Sequence, residues 1–189
     1  MKIAFTPRFQ ISPFSTLYYS YEHQLIEGFA QLGGIFEPIL LIPENKHRLQ
    51  EAEVLILGGG ETPGFNSKRD DFEKSLIELA LKIEIPIIGI CRGAQLLGVL
   101  TSNQLITIVN HVNEWRVLDD RETHVKCFHQ FGFSHLSPDW KILARDSKDG
   151  SIELFQHHSK PIVGILSHPE RQNNSKLALG KLLSILGLN

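Results

Sequence analysis

A cysteine flanked by glycines is the residue of this chain whose surroundings best fit nucleophilic chemistry. Cys91 follows the apolar run 87–90 and precedes a helical pattern, with Gly89 and Gly93 two residues away on either side. This spacing is typical of a nucleophile elbow, a strained strand-to-helix turn with no room for a Cβ beside the nucleophile. The turn also places the sulfur at a helix N-terminus, where backbone N–H groups favour the thiolate. We therefore predict that Cys91 is a reactive thiol and not simply a small buried hydrophobe.

A cysteine nucleophile needs a base within reach and a third group that orients the base. Among the nine histidines, His168 stands at the end of the apolar run 162–166, and Glu170 follows two residues later. Residues i and i+2 of an extended chain point to the same face, so the carboxylate is expected to meet the imidazole. Pro169 lacks an N–H and suits a strand end. We predict a catalytic triad of Cys91, His168 and Glu170.

A run of three glycines, Gly58 to Gly60, directly follows the apolar segment 54–57. The carboxyl end of a buried strand is where parallel α/β sheets hold their ligands. Acyl transfer builds negative charge on a carbonyl oxygen, so we predict an oxyanion hole formed by the N–H groups of Arg92 and of Gly59 or Gly60. A flexible connection without chemistry is the alternative. The run lacks both nucleotide-binding glycine motifs, and no cofactor is expected.

Apolar strands and amphipathic helices must position these groups. Continuous apolar strands separated by helices predict a parallel sheet covered on both faces, and closely spaced strands in the second half predict an antiparallel extension. We predict early strands at 3–5, 36–42, 54–57 and 87–90, helices at 19–32, 70–82 and 175–186, a helical turn at 46–51, and later strands at 105–109, 123–128, 141–144, 152–155 and 162–166.

Composition excludes several classes of partner. The chain of 189 residues has a net charge of −2, no basic block and no apolar run approaching about 20 residues, so neither nucleic acid nor membrane is expected. We expect a soluble cytoplasmic protein in which Cys91 is a free thiol. No zinc-like spacing of His, Cys and Asp is present, and no metal is predicted. His157 and His158 are predicted in a loop, and Asp119-Asp120 and 146–149 in solvated loops.

Five segments together resemble one known group of proteins. They are Ile56-Leu57-Gly58-Gly59-Gly60-Glu61, Arg69-Asp70-Asp71-Phe72-Glu73, Gly89-Ile90-Cys91-Arg92-Gly93-Ala94-Gln95, Asn110-His111-Val112 and Ser167-His168-Pro169-Glu170-Arg171. By these segments the chain resembles the class I glutamine amidotransferase-like proteins, and within them the γ-glutamyl hydrolase-like branch of cysteine hydrolases. The elbow and the His-Pro-Glu segment are the most specific of the five.

The resemblance implies a single domain over residues 1–189 with a flavodoxin-like α/β/α sandwich, a mostly parallel central sheet and a small antiparallel extension. It implies the same triad and a substrate that presents a γ-glutamyl group. It further suggests that Gln95, Phe128 and His129 help to bind the glutamyl portion. Cys127 departs from this pattern, because serine is more usual there, and Phe128 and His129 are equally well interpreted as packing residues.

Three functions follow from the resemblance. The first is a free-standing hydrolase that cleaves a γ-glutamyl amide through a glutamyl thioester, with leaving groups that range from polyamine-derived amines to nucleotide phosphoramidates of surface-polysaccharide modification. The second is a glutaminase subunit that delivers ammonia to a separate synthetase. Arg92 favours the first, because arginine after the cysteine is frequent in the hydrolase branch. The third, a non-catalytic binding module, is opposed by the intact triad. An aromatic N-terminal stretch, 7–21, lines the leaving-group side of the cleft or is a surface loop.

Overall fold

The central element of the molecule is a seven-stranded sheet with helices on both faces. The structure is a computed structural model that describes residues 1–188, and every side chain among them except that of Ile11. The strands are β1 Lys2–Thr6, β2 Arg8–Ile11, β3 Leu17–Ser20, β4 Ile35–Pro38, β5 Val54–Leu57, β6 Ile87–Ile90, β7 Ile106–Thr107, β8 Val112–Val117, β9 His124–Phe128, β10 Phe131–Gly132, β11 Trp140–Arg145, β12 Ile152–His157 and β13 Ile162–Ile165. The helices are α1 His23–Ala30, α2 Ser67–Lys82, α3 Arg92–Leu100 and α4 Ser175–Ile185, with 3₁₀ helices at Pro43–Glu51 and Pro169–Arg171.

The strand order in the sheet is β11-β12-β13-β6-β5-β1-β4. The five strands from β13 to β4 are parallel, whereas β12 and β11 add to the β13 edge as antiparallel strands. This confirms the predicted flavodoxin-like architecture with a mostly parallel sheet and an antiparallel extension. Since β5, β6 and β13 run in the same direction, the segments that follow them emerge at one edge of the sheet.

Alternate residues of the central strands contribute to two separate cores. Leu55 and Leu57 of β5 pack with Leu76 and Leu97 from α2 and α3 on one face. Val54, Ile56 and their neighbours pack on the other face with α1 and α4, through residues such as Leu25, Phe29, Leu179 and Leu182. Both faces of β5 and β6 are fully buried, which is why these strands are apolar throughout.

The helix predicted at 19–32 begins later, at His23. Residues 17–20 instead form β3, which pairs antiparallel with β2 in a hairpin. Tyr18 and Tyr19 fit either period over so short a window, and the pairing with β2 decides between them. The predicted strand at 36–42 is also shorter, since β4 ends at Pro38. The other main helices and strands differ from expectation by a few residues at their ends.

The second half contains a hairpin that sequence patterning does not reveal. Strand β8 lies outside the predicted strands, yet it pairs antiparallel with β9. His157 is the last residue of β12 and is buried, so its predicted loop placement is wrong. Asp146 is also buried rather than solvated, because it forms a bidentate ion pair with Arg116 at 2.7 Å for both contacts. No helix in the described range 1–188 is long and apolar enough to cross a bilayer.

Candidate active site

Cys91 occupies a strained turn between β6 and α3. Its backbone has φ 52° and ψ −107°, a region that non-glycine residues rarely adopt. The Cys91 N–H donates to the Ile165 carbonyl at 2.7 Å, which ties the turn to the neighbouring strand β13. Cys91 is free and 6% exposed. The sulfur therefore stands at the N-terminus of α3 in the geometry expected of an elbow.

Both flanking glycines are required by close backbone contacts. A Cβ at Gly93 would lie 2.1 Å from the Leu57 carbonyl oxygen, and a Cβ at Gly89 would lie 2.7 Å from the Ala94 nitrogen. Real Cβ atoms do not approach backbone atoms so closely. The two glycines thus let α3 start directly against β5 and β6.

His168 and Glu170 meet as expected, although the chain between them is not extended. Residues 169–171 form a 3₁₀ turn, and the ring Nδ1 of His168 lies 2.5 Å from Glu170 Oε1. The Glu170 carboxylate accepts the Nδ1–H, which directs Nε2 away from the carboxylate. The predicted extended geometry of this segment is wrong, because the pair forms when the turn folds the carboxylate back onto the ring.

The buried His168 ring faces the cysteine. Burial alone lowers its pKa, but the Cys91 sulfur and the Glu170 carboxylate outweigh burial and raise the pKa to about 10. A histidine in this environment holds a proton across the neutral range. His168 is therefore basic enough to accept a proton during acyl transfer.

The glycine run lies beside both Cys91 and His168. A Cβ built on Gly59 would be 3.2 Å from His168 Cε1 and 3.9 Å from Cys91 Cβ. Gly60 has φ +144°, a conformation that favours glycine. Among the described residues, no backbone hydrogen bond uses the Gly59 or Gly60 N–H. Neither donor is therefore occupied by the backbone, and Gly59 lies beside Cys91 and His168.

A buried ion network holds this glycine run in place. Arg69 donates to the carbonyls of Gly59 at 3.1 Å and Gly58 at 3.3 Å, and its Nε donates to Glu73 at 3.0 Å. Arg92, which follows the nucleophile, donates to Glu73 and also to Asp70 at the start of α2. Both guanidinium groups are 1% exposed, and burial lowers the pKa of Arg69 to about 10 and that of Arg92 to about 9.

Sequence patterning assigns this network no role, although the start of α2 is part of the resemblance. The spacing of Arg69, Asp70 and Glu73 is a usable signal, because residues i and i+4 share a helix face. The network connects the two halves of the predicted oxyanion hole, since Arg69 holds the glycine carbonyls and Arg92 belongs to the elbow.

Comparison with known proteins agrees with this geometry. The profile of the family described as "Glutamine amidotransferase class-I" matches residues 17–177. This chain belongs to the class I glutamine amidotransferase family. The match contains the glycine run, the elbow and the His-Pro-Glu segment.

Relatives with different named activities are similar to this chain. A γ-glutamyl-CDP-amidate hydrolase of Campylobacter jejuni is 36% identical over 128 residues, which is 64% of this chain and 64% of that protein. The glutamine-hydrolyzing GMP synthase subunit of Methanobrevibacter smithii is 30% identical over 156 residues, 74% of this chain and 77% of that protein. A glutamine amidotransferase structure from Thermotoga maritima has a TM-score of 0.67 at 18% identity, covering 97% of this chain and 82% of that one. The last comparison concerns the fold alone.

The three residues predicted to bind a glutamyl group lie in different environments. Gln95 is one turn after Cys91, is buried, and donates to the Phe131 carbonyl at 2.7 Å. Phe128 packs edge-on against His168, with ring centroids 5.4 Å apart. His129 is 2% exposed, and its two ring nitrogens contact the Phe131 carbonyl and Glu153. His129 thus belongs to a buried cluster, whereas Phe128 contacts the predicted triad.

The β2–β3 hairpin begins next to the site. The Cβ of Arg8 lies 3.6 Å from the position that a Cβ on Gly60 would occupy. Arg8 and Arg171 both donate to the Glu22 carboxylate, Arg171 at 2.9 Å. These ion pairs connect the start of the hairpin to the turn that carries Glu170. The aromatic N-terminal stretch therefore has its base at the rim of the predicted catalytic residues.

Proposed function

We propose that this class I amidotransferase family member is a cysteine hydrolase that cleaves a γ-glutamyl amide. The observation that carries the proposal is the juxtaposition of Cys91, the His168–Glu170 pair and the free N–H groups of Gly59 and Gly60. These are the nucleophile, the oriented base and the oxyanion donors that acyl transfer requires. The 36% identity to a γ-glutamyl-CDP-amidate hydrolase supports the substrate class.

The reaction then runs in two acyl-transfer steps. His168 takes the proton of the Cys91 thiol, and the sulfur attacks the γ-carbonyl carbon while the N–H groups of Gly59 or Gly60 and Arg92 hold the oxyanion. The C–N bond breaks as His168 returns the proton to the leaving nitrogen, and a glutamyl thioester remains. A water molecule that gives its proton to His168 attacks the thioester. The C–S bond breaks, glutamate leaves, and the Cys91 thiol is restored.

The leaving group is proposed to be a nucleotide phosphoramidate. The match covers 64% of the length of the Campylobacter protein. The substrate in that protein's name therefore supports this assignment by analogy. The β2–β3 hairpin, whose base lies beside Gly60, offers a second support, because it exposes Phe14 in its turn and Tyr18 on β3. Aromatic faces of this kind stack on nucleotide bases.

The test is release of glutamate from a panel of substrates by the purified chain alone. The panel pairs γ-glutamyl phosphoramidates of nucleotides with γ-glutamyl amines and with glutamine. We expect the highest kcat/KM for a nucleotide phosphoramidate. Turnover of γ-glutamyl amines in preference to phosphoramidates would contradict the leaving-group assignment, and failure with every member would contradict the hydrolase assignment.

The glutaminase of a two-component synthetase is the second candidate. It is favoured by the similarity to the archaeal GMP synthase subunit over 74% of this chain. The buried Arg92, held by Glu73 and Asp70, supports the hydrolase instead, since an apolar or aromatic residue is more usual there in ammonia-channelling relatives. If glutamine is hydrolysed only after a synthetase chain is added, the second candidate is correct. A binding module without catalysis would release no glutamate under either condition.

A further inference from the structure

A second group of chemically active side chains lies buried apart from the predicted triad. It consists of His111, just before β8, Cys127 and His129 at the end of β9, and Glu153 in β12, which we call the His-Cys-Glu cluster. All four residues are between 0 and 2% exposed. Each offers one ligand atom, and these four atoms lie within 4.8 Å of one another.

The two ring nitrogens and one Glu153 oxygen lie at or slightly below the spacing of ligands in a coordination tetrahedron, and the thiol lies beside the second Glu153 oxygen. His111 Nδ1 and His129 Nε2 are 3.3 Å apart, and each lies 3.1 Å from Glu153 Oε1. Cys127 Sγ is 3.8 Å from Glu153 Oε2. Metal bonds of about 2.0–2.3 Å to nitrogen, oxygen and sulfur place neighbouring tetrahedral ligands about 3.3–3.8 Å apart.

The outer contacts of the two histidines fix which nitrogens carry hydrogen. His111 Nε2 lies 2.9 Å from the Asp149 carboxylate, and His129 Nδ1 lies 3.2 Å from the Phe131 carbonyl. Both oxygens accept hydrogen bonds only, so these outer nitrogens are the N–H donors. In the neutral rings the inner nitrogens then carry lone pairs aimed at each other and at the Glu153 carboxylate. This is the arrangement of metal-bound histidines, whose other nitrogen is held by a carboxylate or carbonyl.

The charges in and around the cluster also favour the binding of a cation. Glu153, Asp146 and Asp149 supply three carboxylates, and Arg116 supplies one guanidinium in contact with both aspartates. With neutral histidines and a neutral thiol, two negative charges remain uncompensated in a largely buried region. A divalent cation bound by a Cys127 thiolate reduces this excess to one negative charge, whereas the alternative needs a proton on both inner histidine nitrogens.

We propose that His111, Cys127, His129 and Glu153 bind a divalent metal ion, with zinc as the best fit to two imidazoles, one thiolate and one carboxylate. Binding releases the Cys127 thiol proton to solvent, and the sulfur coordinates as thiolate. A surface cavity of about 430 Å³ is lined in part by Arg116, Asp149 and Ser151, and the Asp149 carboxylate contacts His111 Nε2. The four protein ligands close the tetrahedron, so the ion has a structural role.

The ion would stabilise the region that supports the catalytic histidine. The Lys126 carbonyl on β9 accepts from the His168 N–H at 2.8 Å, and the Glu153 carbonyl accepts from the Leu166 N–H at 2.8 Å. Phe128, between the two ligands Cys127 and His129, packs on the His168 ring. Metal bound to the cluster therefore fixes the strand end on which His168 rests.

The experiment is metal analysis of the purified full-length chain, followed by removal of metal with chelator and titration with Zn²⁺ and Co²⁺. We expect about one equivalent of zinc per chain, a lower Tm after chelation that zinc restores, and a tetrahedral Co²⁺ spectrum with a thiolate charge-transfer band. Cys127→Ser should remove that band. A chain that carries no metal, and whose chelated form binds neither ion stoichiometrically, would overturn the proposal.

A milder variant keeps the test independent of folding. Asp149, whose side chain is 36% exposed, contacts the cluster only through the outer nitrogen of His111. Asp149→Asn should weaken zinc affinity about 10–100-fold, the usual effect of losing an outer carboxylate. His158→Ala, at an exposed histidine, is the matched control and should retain wild-type affinity. Equal affinity in wild type and Asp149→Asn would remove His111 from the proposed ligands.

Discussion

The predicted catalytic residues and the His-Cys-Glu cluster are assembled by different parts of the same sheet. Cys91, the glycine run and His168 each follow a strand of the parallel region, so their proximity follows from strand direction alone. The cluster is assembled across the β8–β9 hairpin, where the His129 N–H donates to the His111 carbonyl at 3.0 Å, and is completed by Glu153 from the antiparallel extension. Sites at parallel strand ends are visible in a sequence, whereas sites across antiparallel pairs require the register.

The contrast between the predicted catalytic residues and the His-Cys-Glu cluster is tested most strongly by Cys91→Ala. Loss of the nucleophile should lower glutamate release by about 10⁶-fold, the scale seen when a hydrolase loses its nucleophile. The same variant should keep the zinc stoichiometry of the wild-type chain, because Cys91 is not among the four cluster ligands. Glutamate assays and metal analysis on one preparation check both statements. Residual turnover near the wild-type rate would show that another residue is the nucleophile.

Glu170→Gln tests the oriented base and should lower kcat by about 10²–10⁴-fold, the range attributed to general acid–base catalysis. Because Glu170 helps to raise the pKa of His168 to about 10, its loss should also lower that pKa. The pH at which the His168 ring loses its proton, followed by NMR of the imidazole, should then fall.

The same pKa shift predicts how stability depends on pH. The folded pKa of His168 lies above the ordinary value of 6.5, so its contribution is complete below pH 6.5 and is lost as the pH rises through about 10. Urea unfolding should show this decline at lower pH in Glu170→Gln than in the wild type. Glu122→Gln, at an exposed carboxylate, is the control. If the alkaline decline in stability is unchanged in Glu170→Gln, Glu170 does not set the pKa of His168.

Gly60→Ala tests whether the glycine run is an oxyanion hole. A Cβ at Gly60 would lie 2.4 Å from Arg69 Nη1, so the side chain that holds the loop carbonyls must move. We expect a loss of about 10²–10³-fold in kcat, the cost of one misplaced oxyanion donor. Gly64 is a matched control, since it also has positive φ, +95°, but no atom within 4 Å of its Cβ position. Equal losses of kcat in both alanine variants would indicate backbone strain and not oxyanion binding.

Much of the candidate active site can be predicted from the sequence, because its determinants are local. The glycines around Cys91 report a turn that excludes side chains, and the structure shows the backbone contacts that exclude them. The Arg69–Glu73–Arg92 network is less accessible, because it joins α2 to the elbow through side chains whose rotamers the sequence does not specify. Its i, i+4 spacing on α2 is visible, but its connection to Gly58 and Gly59 is not.

The His-Cys-Glu cluster cannot be predicted from the sequence, for a different reason. Its ligands are separated by 16, 2 and 24 positions, which matches no zinc spacing, and β8 carries exposed residues on most of its length. The β8–β9 register, including a bulge between Val112 and Glu114, determines that His111 lies opposite His129. The sequence pattern places Asp146 in a loop for the same reason, since its partner Arg116 lies on the strand that the pattern does not predict.

Phe128→Leu tests the connection between the two regions and has the smallest expected effect. An edge-on aromatic pair contributes about 0.5–1.5 kcal/mol, so loss of the contact with His168 should lower kcat by about two- to tenfold. If Phe128 instead binds the glutamyl group, KM should rise with kcat unchanged. Trp115→Leu is the control, because Trp115 lies on the same hairpin and its ring contacts Lys126 rather than His168.

The same variant can measure coupling between the His-Cys-Glu cluster and His168. If zinc fixes the end of β9, the effect of Phe128→Leu on Cys91 alkylation should be larger in the zinc-loaded chain than after chelation, because only the fixed strand holds the wild-type ring on His168. The four alkylation rates, wild type and Phe128→Leu with and without zinc, form a cycle whose interaction energy is the coupling. Rates that combine additively would mean that the two regions share a hairpin but not a function.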